Sequence, residues 1–282
     1  MRRYPLAYFH NVIRVAPSGP AHARSLADAL AMVKSPGANN RWLIELAPGD
    51  YQISATIAVP RYVTVRGAFA GEWQRDSWAS RIYVGAGLST GISLLGALCD
   101  VLVHTAEAQA TTFYLIYAYS YSVIDRCCID CAATATGGAN CYALYLSASD
   151  GHVLIYSTLI NRASGFTNVV ALYGRRNAEI DIEFCKIRAY GTGSYGLLLD
   201  TPGYCNVKHS HIEAETAISS DRAVTMDHVS FNGTLSANAA EQQIVSSTRH
   251  GFMTAEMYGK LGTADFVGQL YLGNTACCGA AK

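Results

Sequence analysis

One short pattern, repeated five times in the middle of the chain, limits the possible folds more than any other feature of the sequence. Each copy has a small or apolar anchor residue, with one apolar residue three positions before it and another two positions after it. The anchors are Cys127, Ser157, Cys185, Ser210 and Val229. A second apolar run precedes each anchor, and turn-forming residues lie between run and anchor. Repeats of a few tens of residues built from short strands are typical of solenoid proteins.

The repeat unit contains no helical stretch, so the sequence predicts an all-β solenoid, a parallel β-helix. Neighbouring strands of a sheet lie about 4.8 Å apart, and equivalent residues of successive turns therefore form ladders. The interior excludes water, so inward positions must be small or apolar. We expect Cys127, Ser157, Cys185 and Ser210 to form one such inward ladder.

Composition excludes several classes of function. The formal net charge of the 282-residue chain is zero and only 15% of its residues are charged, whereas a nucleic-acid partner requires a basic surface. No run reaches the ~18 apolar residues that would predict membrane insertion. His10, Asn11 and Arg14 interrupt the apolar stretch after the start, so no signal peptide is expected. The nine cysteines have neither disulfide nor metal spacing, which indicates reduced core thiols, and we expect no metal or cofactor.

The N-terminal segment, residues 1–42, is expected to close the first turn of the solenoid. Ser25 is a candidate cap for a short amphipathic helix whose apolar face carries Leu26, Leu30 and Val33. A helix at this end would cover strand edges that otherwise invite aggregation.

Three segments follow the helix in an order that identifies a fold. Residues 42–51 read W-L-I-E-L-A-P-G-D-Y, residues 53–57 form a short strand pattern, and residues 63–67 read V-T-V-R-G. This order resembles the opening of the pectin-lyase-like β-helix superfamily, and the resemblance covers about residues 12–70. It implies a right-handed parallel β-helix, which we expect over residues 43–241. Residues 71–90 contain no clean repeat and are expected to loop out of it. The resemblance implies no particular activity, because the superfamily includes lyases, hydrolases, esterases and non-catalytic viral spikes.

The tail, residues 242–282, differs in character from the repeat. Residues 246–261 read as a linker into a short helix capped by Thr254. This segment resembles a phrase found in bacteriophage tail fibres, of the form H-G-F/L-M-S-A-x-x-x-x-K-L. The residues that match it are Gly251, Phe252, Met253, Ala255, Lys260 and Leu261. The tail has more apolar residues than it can bury alone, and the resemblance implies that partner chains cover them in a homotrimer.

The candidate catalytic residues belong to the outward ladders, because a catalytic β-helix needs carboxylates that project outward from adjacent turns. The ladder two residues before the anchors reads Asp125, Ile155, Glu183, Lys208 and Asp227. Asp125 and Glu183 would lie two turns apart, roughly 9–10 Å between backbones, which could fit an inverting glycosidase pair. The intervening Ile155 argues against a dedicated site, so we expect no glycan cleavage from this pair.

Two further groups of polar residues have plain interpretations. The ladder three residues after the anchors reads Asp130, Ile160, Arg188, Glu213 and Asn232. Arg188 beside Glu213 is interpreted as a solvated ion pair. His209 and His211 are expected to project to the same side of a strand, but no carboxylate or cysteine converges on them, so we interpret them as surface residues.

Tyrosine is unusually frequent, with 18 residues, many of them in the repeat. The candidate ligand-binding residues are Tyr114, Tyr117, Tyr145 and Tyr173. Rigid amphipathic rings on a flat sheet can stack on sugar faces or become buried in a subunit interface. The alternative is that these aromatic residues simply favour strands.

These observations favour a bacteriophage virion protein, of the tail-fibre or tailspike type. Such a protein would form a homotrimer, contact other virion proteins and attach to a glycan of the host surface. It would be made in the host cytoplasm and located in the virion. One alternative is a polysaccharide-degrading lyase or hydrolase on a β-helix, and another is a β-helix adhesin of a cell surface.

Overall fold

The computed structural model describes residues 9–68, 79–109, 111–147, 151–175, 178–200, 204–220, 224–237, 243–245, 248–250, 270–272 and 275–277. Within them the chain winds into a right-handed parallel β-helix, in which hydrogen bonds connect 23 strands. The predicted fold class is therefore confirmed. A separate antiparallel pair joins β24 (Leu270–Leu272) to β25 (Thr275–Cys277).

Each turn visits three parallel sheets in the same order. The first sheet contains β1 (Asn11–Val15), β2 (Trp42–Leu46), β5 (Val63–Arg66), β8 (Ala97–Cys99), the first parts of β11 (Val123–Cys131) and β13 (Gly151–Asn161), β15 (Ala178–Glu183), β18 (Tyr204–Lys208), β20 (Thr225–Asp227) and β22 (Gln243–Val245). The second sheet contains β3 (Gly49–Ile53), β6 (Ser80–Val84), β9 (Leu102–Thr105), the second parts of β11 and β13, β16 (Lys186–Ala189), the first parts of β19 (His211–Ser220) and β21 (Ser230–Ala237), and β23 (Thr248–His250). The third sheet contains β4 (Ile57–Val59), β7 (Thr90–Leu94), β10 (Thr112–Ala118), β12 (Thr134–Ser147), β14 (Ser164–Arg175), β17 (Ser194–Asp200) and the last parts of β19 and β21.

The predicted inward ladder is present and is held by side-chain to backbone hydrogen bonds. The Cys127 N–H donates to Ser157 Oγ (3.1 Å), the Ser157 N–H to Cys185 Sγ (3.2 Å), and the Cys185 N–H to Ser210 Oγ (3.1 Å). All four side chains are buried. Each small polar side chain therefore satisfies a backbone donor of the preceding turn, which allows serine to lie in a dry interior.

The corner between the first and second sheets is formed by residues in the left-handed conformation. They are Asp100, Arg126, Phe184, His209 and His228, with φ between 47° and 56°. Each directly precedes an inward residue of the ladder. The turn that contains Ser157 lacks this extra residue: Asp125 pairs with Tyr156 and Cys128 with Thr158, so three steps along β11 match two along β13. Since the chain is one residue shorter there, the register of the outward ladder changes at that turn.

One predicted ladder position is wrong for this reason. Asp125 pairs with Tyr156, whereas Ile155 pairs with Ile124 and with Ile182 and is fully buried. The outward neighbour of Asp125 on the next turn is thus a tyrosine. The other outward ladder, from Asp130 to Asn232, has the predicted register.

The N-terminal helix was predicted correctly. It is α1 (Leu26–Met32), and Ser25 Oγ accepts a hydrogen bond from the Asp28 N–H at 3.1 Å. Leu26 and Ala29 are buried against the first turn. This helix is far too short to cross a bilayer, and no other helix in the described ranges is long and apolar enough to do so.

The stack of strands is longer than residues 43–241. Strand β1 pairs with β2, and β22 and β23 continue the first and second sheets as far as His250. The prediction that residues 71–90 loop out is wrong for residues 80–84, which form strand β6. Ser80, Ile82 and Val84 alternate inward there, as in the other strands. The helix expected near Thr254 lies outside the described residues.

Candidate functional site

An aromatic surface covers the outer side of the third sheet. Its residues, here called the tyrosine face, are Tyr114, Tyr117, Tyr142, Tyr145, Tyr173 and Tyr195. The strand register places them in two adjacent rows, one beginning at Tyr114 and the other at Tyr117. All four tyrosines predicted from the sequence to bind a ligand thus belong to one surface, together with two that were not singled out.

The rings of each row stack along the helix axis. The centroids of Tyr114 and Tyr142 lie 5.2 Å apart with planes 6° from parallel. Tyr145 lies 4.8 Å from both Tyr117 and Tyr173, at 24° and 17°. The rows meet edge to face, as in the 4.8 Å, 76° contact of Tyr114 with Tyr145. Offset stacks and edge-to-face contacts are the favoured geometries of aromatic pairs, so the surface is mutually braced.

This packing determines what the tyrosine face can offer a ligand. Both ring faces of Tyr145 are covered, by Tyr117 on one side and Tyr173 on the other. Tyr145 therefore has no open face on which a sugar could stack. Its ring edge and phenolic hydroxyl remain available to contact a ligand. A larger exposed apolar area is offered by Tyr119, which lies beside Tyr117.

Charged residues border the face and fix two hydroxyls. Arg175 hydrogen-bonds Tyr145, and the Tyr173 hydroxyl donates to Asp200 Oδ2 at 3.3 Å. Burial raises the pKa of Tyr142 to about 12 and also raises the pKa values of Tyr145 and Tyr173. These phenols therefore remain protonated hydrogen-bond donors throughout the physiological pH range.

The candidate carboxylates Asp125 and Glu183 keep the separation of two turns that the sequence indicated. Asp125 binds the Arg126 guanidinium at 2.7 Å, and Arg126 also holds Asp100 through two bonds of 2.7 and 2.9 Å. Burial raises the pKa of Asp125, an effect that Arg126 opposes. Tyr156 occupies the position between Asp125 and Glu183. The structure therefore joins Asp125 to an arginine and a second aspartate, not to Glu183.

A different charged cluster lies on the outer side of the second sheet. The Asp130 side chain is only 1% exposed, and Arg162 donates to its two oxygens at 3.1 and 2.8 Å. His104 Nδ1 lies 3.2 Å from the same carboxylate. Beside it is a cleft of about 370 Å³, lined by Asp130, Arg162, Ile160 and Tyr190. The repeat in the sequence predicts the position of Asp130 in this ladder, but it predicts neither Arg162 nor His104 as a partner.

The other polar predictions have mixed outcomes. Arg188 and Glu213 form the expected ion pair, with Nε and Oε2 2.8 Å apart. His209 and His211 do not form a same-side pair, because the left-handed residue 209 interrupts the strand alternation. His211 Nδ1 contacts Ser230 Oγ at 2.8 Å, whereas His209 stacks on Phe184 and His228.

Comparison with known proteins assigns the chain to no family. No protein-family model and no curated protein matches the sequence. A pectin methylesterase from Aspergillus niger shares 10% identity, with 94% of this chain and 81% of that chain covered and a TM-score of 0.46. The pectin methylesterase PemA from Erwinia chrysanthemi shares 11%, with coverages of 93% and 81% and a TM-score of 0.40. The Dettilon tailspike protein shares 10%, with coverages of 82% and 60% and a TM-score of 0.31.

The chain spans only 60% of the tailspike chain. Identities and TM-scores of this size transfer no activity from these proteins, so the function of this chain has to be inferred from its own surfaces.

Proposed function

We propose that the protein is a virion structural protein of the tail-fibre or tailspike type, which attaches to a host-surface glycan through the tyrosine face. The observation that carries this proposal is the tyrosine face itself, a rigid array of aromatic edges and hydroxyls along the side of a β-helix. Tyrosine presents a large contact area at low conformational cost and hydrogen-bonds at its tip. Both properties suit the alternating apolar and hydroxyl surface of a sugar chain.

The direction of the rows also supports an extended ligand. Tyr117, Tyr145 and Tyr173 occur on three successive turns of the third sheet. Their spacing repeats the strand separation, so a polymer lying along the helix axis would meet similar groups at each turn. Arg175 and Asp200 at the border add charged hydrogen-bonding groups for specificity.

The proposed assembly is a homotrimer that contacts other virion proteins, and its proposed location is the virion. This part rests on the resemblance of residues 246–261 to phage tail fibres and on the apolar content of the tail. Native mass measurement of the full chain tests it directly. A monomeric mass at micromolar concentration would contradict the trimer.

The attachment function is tested by removing hydroxyls without disturbing the packing. The triple variant Tyr114→Phe, Tyr117→Phe and Tyr173→Phe keeps every ring, and we expect it to lose at least tenfold in affinity on an array of bacterial surface polysaccharides. The matched control is Tyr83→Phe, which removes a hydroxyl on the second sheet. If the triple variant binds as the wild type does, the tyrosine face is not the glycan site. If instead its oligomeric mass changes, the face is a subunit interface.

The cluster around Asp130 favours a second candidate, a polysaccharide-degrading enzyme. A nearly buried carboxylate with an arginine and a histidine beside a cleft is a combination often found at catalytic sites. Against it, both oxygens of Asp130 are already occupied. Release of oligosaccharides by the wild type, abolished in Asp130→Asn, would support the enzyme in preference to the attachment protein.

A further inference from the structure

The corner between the first and second sheets brings together metal-binding side chains that the sequence spacing did not pair. We propose that His209, Asp227 and His228 form a binding site for one Zn²⁺ ion or a similar divalent transition-metal ion. This site is independent of the tyrosine face, which lies on the third sheet.

The backbone of the corner builds the site. His209 and His228 occupy the same corner on successive turns, and both have the left-handed conformation, with φ of 47° and 53°. The His209 N–H donates to the Asp227 carbonyl at 2.9 Å, which fastens one turn to the next at this point. The fold therefore fixes the relative positions of the three residues before any ion binds.

The two imidazoles lie one above the other. Their centroids are 5.1 Å apart and their planes differ by 30°. Phe184 stacks on the other face of His209, at 5.0 Å and 15°. The ring of His209 is thus held between two others although the residue lies at the surface, and this reduces the entropy that binding must overcome.

Asp227 supplies the negative charge and orients its neighbour. His228 Nδ1 and Asp227 Oδ1 are 2.5 Å apart. A metal ion bound here would take the place of the proton in this hydrogen bond, so that Nδ1 and Oδ1 both become its ligands, move apart by about 1 Å and release the proton.

The separations of the donor atoms are close to those that one ion requires. One ligand atom from each of the three residues lies within 4.8 Å of the other two. Zinc–nitrogen and zinc–oxygen bonds of about 2.0–2.2 Å place two donors on a tetrahedral ion about 3.3–3.6 Å apart. The widest pair needs to close by less than about 1.5 Å. A turn of the His228 ring, whose side chain is 59% exposed, would bring the donors together while His209 stays stacked on Phe184, and water would complete the coordination.

The donor set selects the class of ion. Two imidazoles and one carboxylate suit Zn²⁺, Co²⁺, Ni²⁺ and Cu²⁺, whereas Mg²⁺ and Ca²⁺ prefer sites made of oxygen alone. An ion held by His209 on one turn and by Asp227 and His228 on the next would link the two turns. Since binding to the folded state stabilises it by mass action, Zn²⁺ should raise the unfolding temperature of the protein.

The test uses the full-length chain after treatment with a chelator, titrated with Zn²⁺ by calorimetry and with Co²⁺ by absorption spectroscopy. We expect one equivalent bound per chain, with Co²⁺ bands of nitrogen and oxygen ligation and no response to Mg²⁺. His209→Asn and His228→Asn should each weaken binding at least tenfold. Asparagine is the suitable replacement because it tolerates the left-handed conformation, so the corner should keep its shape.

The matched control is His211→Asn, two residues along the chain but directed at Ser230. It should bind Zn²⁺ as the wild type does and show the same rise in unfolding temperature. The proposal is overturned if the wild type binds no Zn²⁺ saturably or if His209→Asn and His228→Asn bind it unchanged. It is also overturned if Co²⁺ shows thiolate charge-transfer bands, which would assign the ion to cysteines, or if His211→Asn is equally impaired.

Discussion

Removal of one hydroxyl from the interior ladder should destabilise the β-helix by an amount that the structure allows us to calculate. Ser157 Oγ accepts from the Cys127 N–H and donates to the Ile124 carbonyl, both at 3.1 Å. Ser157 and Cys127 are fully buried, so water cannot replace either bond. Ser157→Ala therefore leaves one backbone donor and one acceptor short of a partner, each at a cost of about 1–3 kcal/mol. The free-energy cost is smaller for a carbonyl that loses one of its donors than for an N–H left without any acceptor. We expect a total loss of about 2–4 kcal/mol.

The control variant is Ser157→Cys, because Cys185 already has the same role one turn further along. Its Sγ accepts from the Ser157 N–H and lies 3.2 Å from the Ile155 carbonyl. We expect Ser157→Cys to remain within about 1 kcal/mol of the wild type. Urea unfolding measures both variants, and hydrogen exchange at Cys127 reports the local effect. Equal stabilities of the alanine variant and the wild type would refute the claim that the ladder side chains satisfy the backbone.

Three other predictions concern pH, chemistry and assembly. The folded-state pKa of Tyr142 is about 12, above its ordinary value of 10.0, so its stabilising contribution is complete below pH 10 and is lost as the pH rises towards 12. Absorbance at 295 nm should show tyrosinate forming late in the folded protein, and an ordinary titration of all tyrosines would contradict this. The wild type, Asp125→Ala and Glu183→Ala should bind glycan alike and release no oligosaccharide, since Arg126 holds the Asp125 carboxylate and Tyr156 separates it from Glu183. Release of reducing ends by the wild type that either variant abolishes would contradict this. Deletion of residues 251–282, which spares β22 and β23, should convert a trimer into monomers or aggregates whose circular dichroism spectrum is nearly unchanged. A deletion variant that stays trimeric would exclude the tail as the assembly element.

The interior of the β-helix was predictable because it follows from a single rule. Inward side chains must be small or apolar, and every turn repeats the requirement, so Cys127, Ser157, Cys185 and Ser210 could be aligned from the sequence alone. The same rule would have recovered β6, whose buried positions Ser80, Ile82 and Val84 alternate in the expected way. It was missed because its neighbours do not repeat.

The exterior was less predictable because the corner controls it. A left-handed residue such as Arg126 or Phe184 adds one position to a turn, and the turn containing Ser157 omits it. A difference of one residue decides whether Ile155 or Tyr156 faces outward. The apolar pattern of the sequence does not indicate this difference. Counting a fixed number of residues back from each anchor therefore predicts Ile155, and not Tyr156, as the outward neighbour of Asp125.

The geometry of the tyrosine face sets a condition on any glycan that it binds. Stacking within the rows uses the ring faces, so the energy per sugar must come from hydroxyls and ring edges, which are weaker contacts than a fully stacked ring. Useful affinity then requires several turns to act together, which the arrangement of Tyr117, Tyr145 and Tyr173 in line on three successive turns allows. Under the proposed function, affinity should rise steeply with the length of the oligosaccharide until it spans the rows and then level off. A monosaccharide that binds as tightly as a long oligosaccharide would place recognition in a single pocket, for which the cleft beside Asp130 is the candidate.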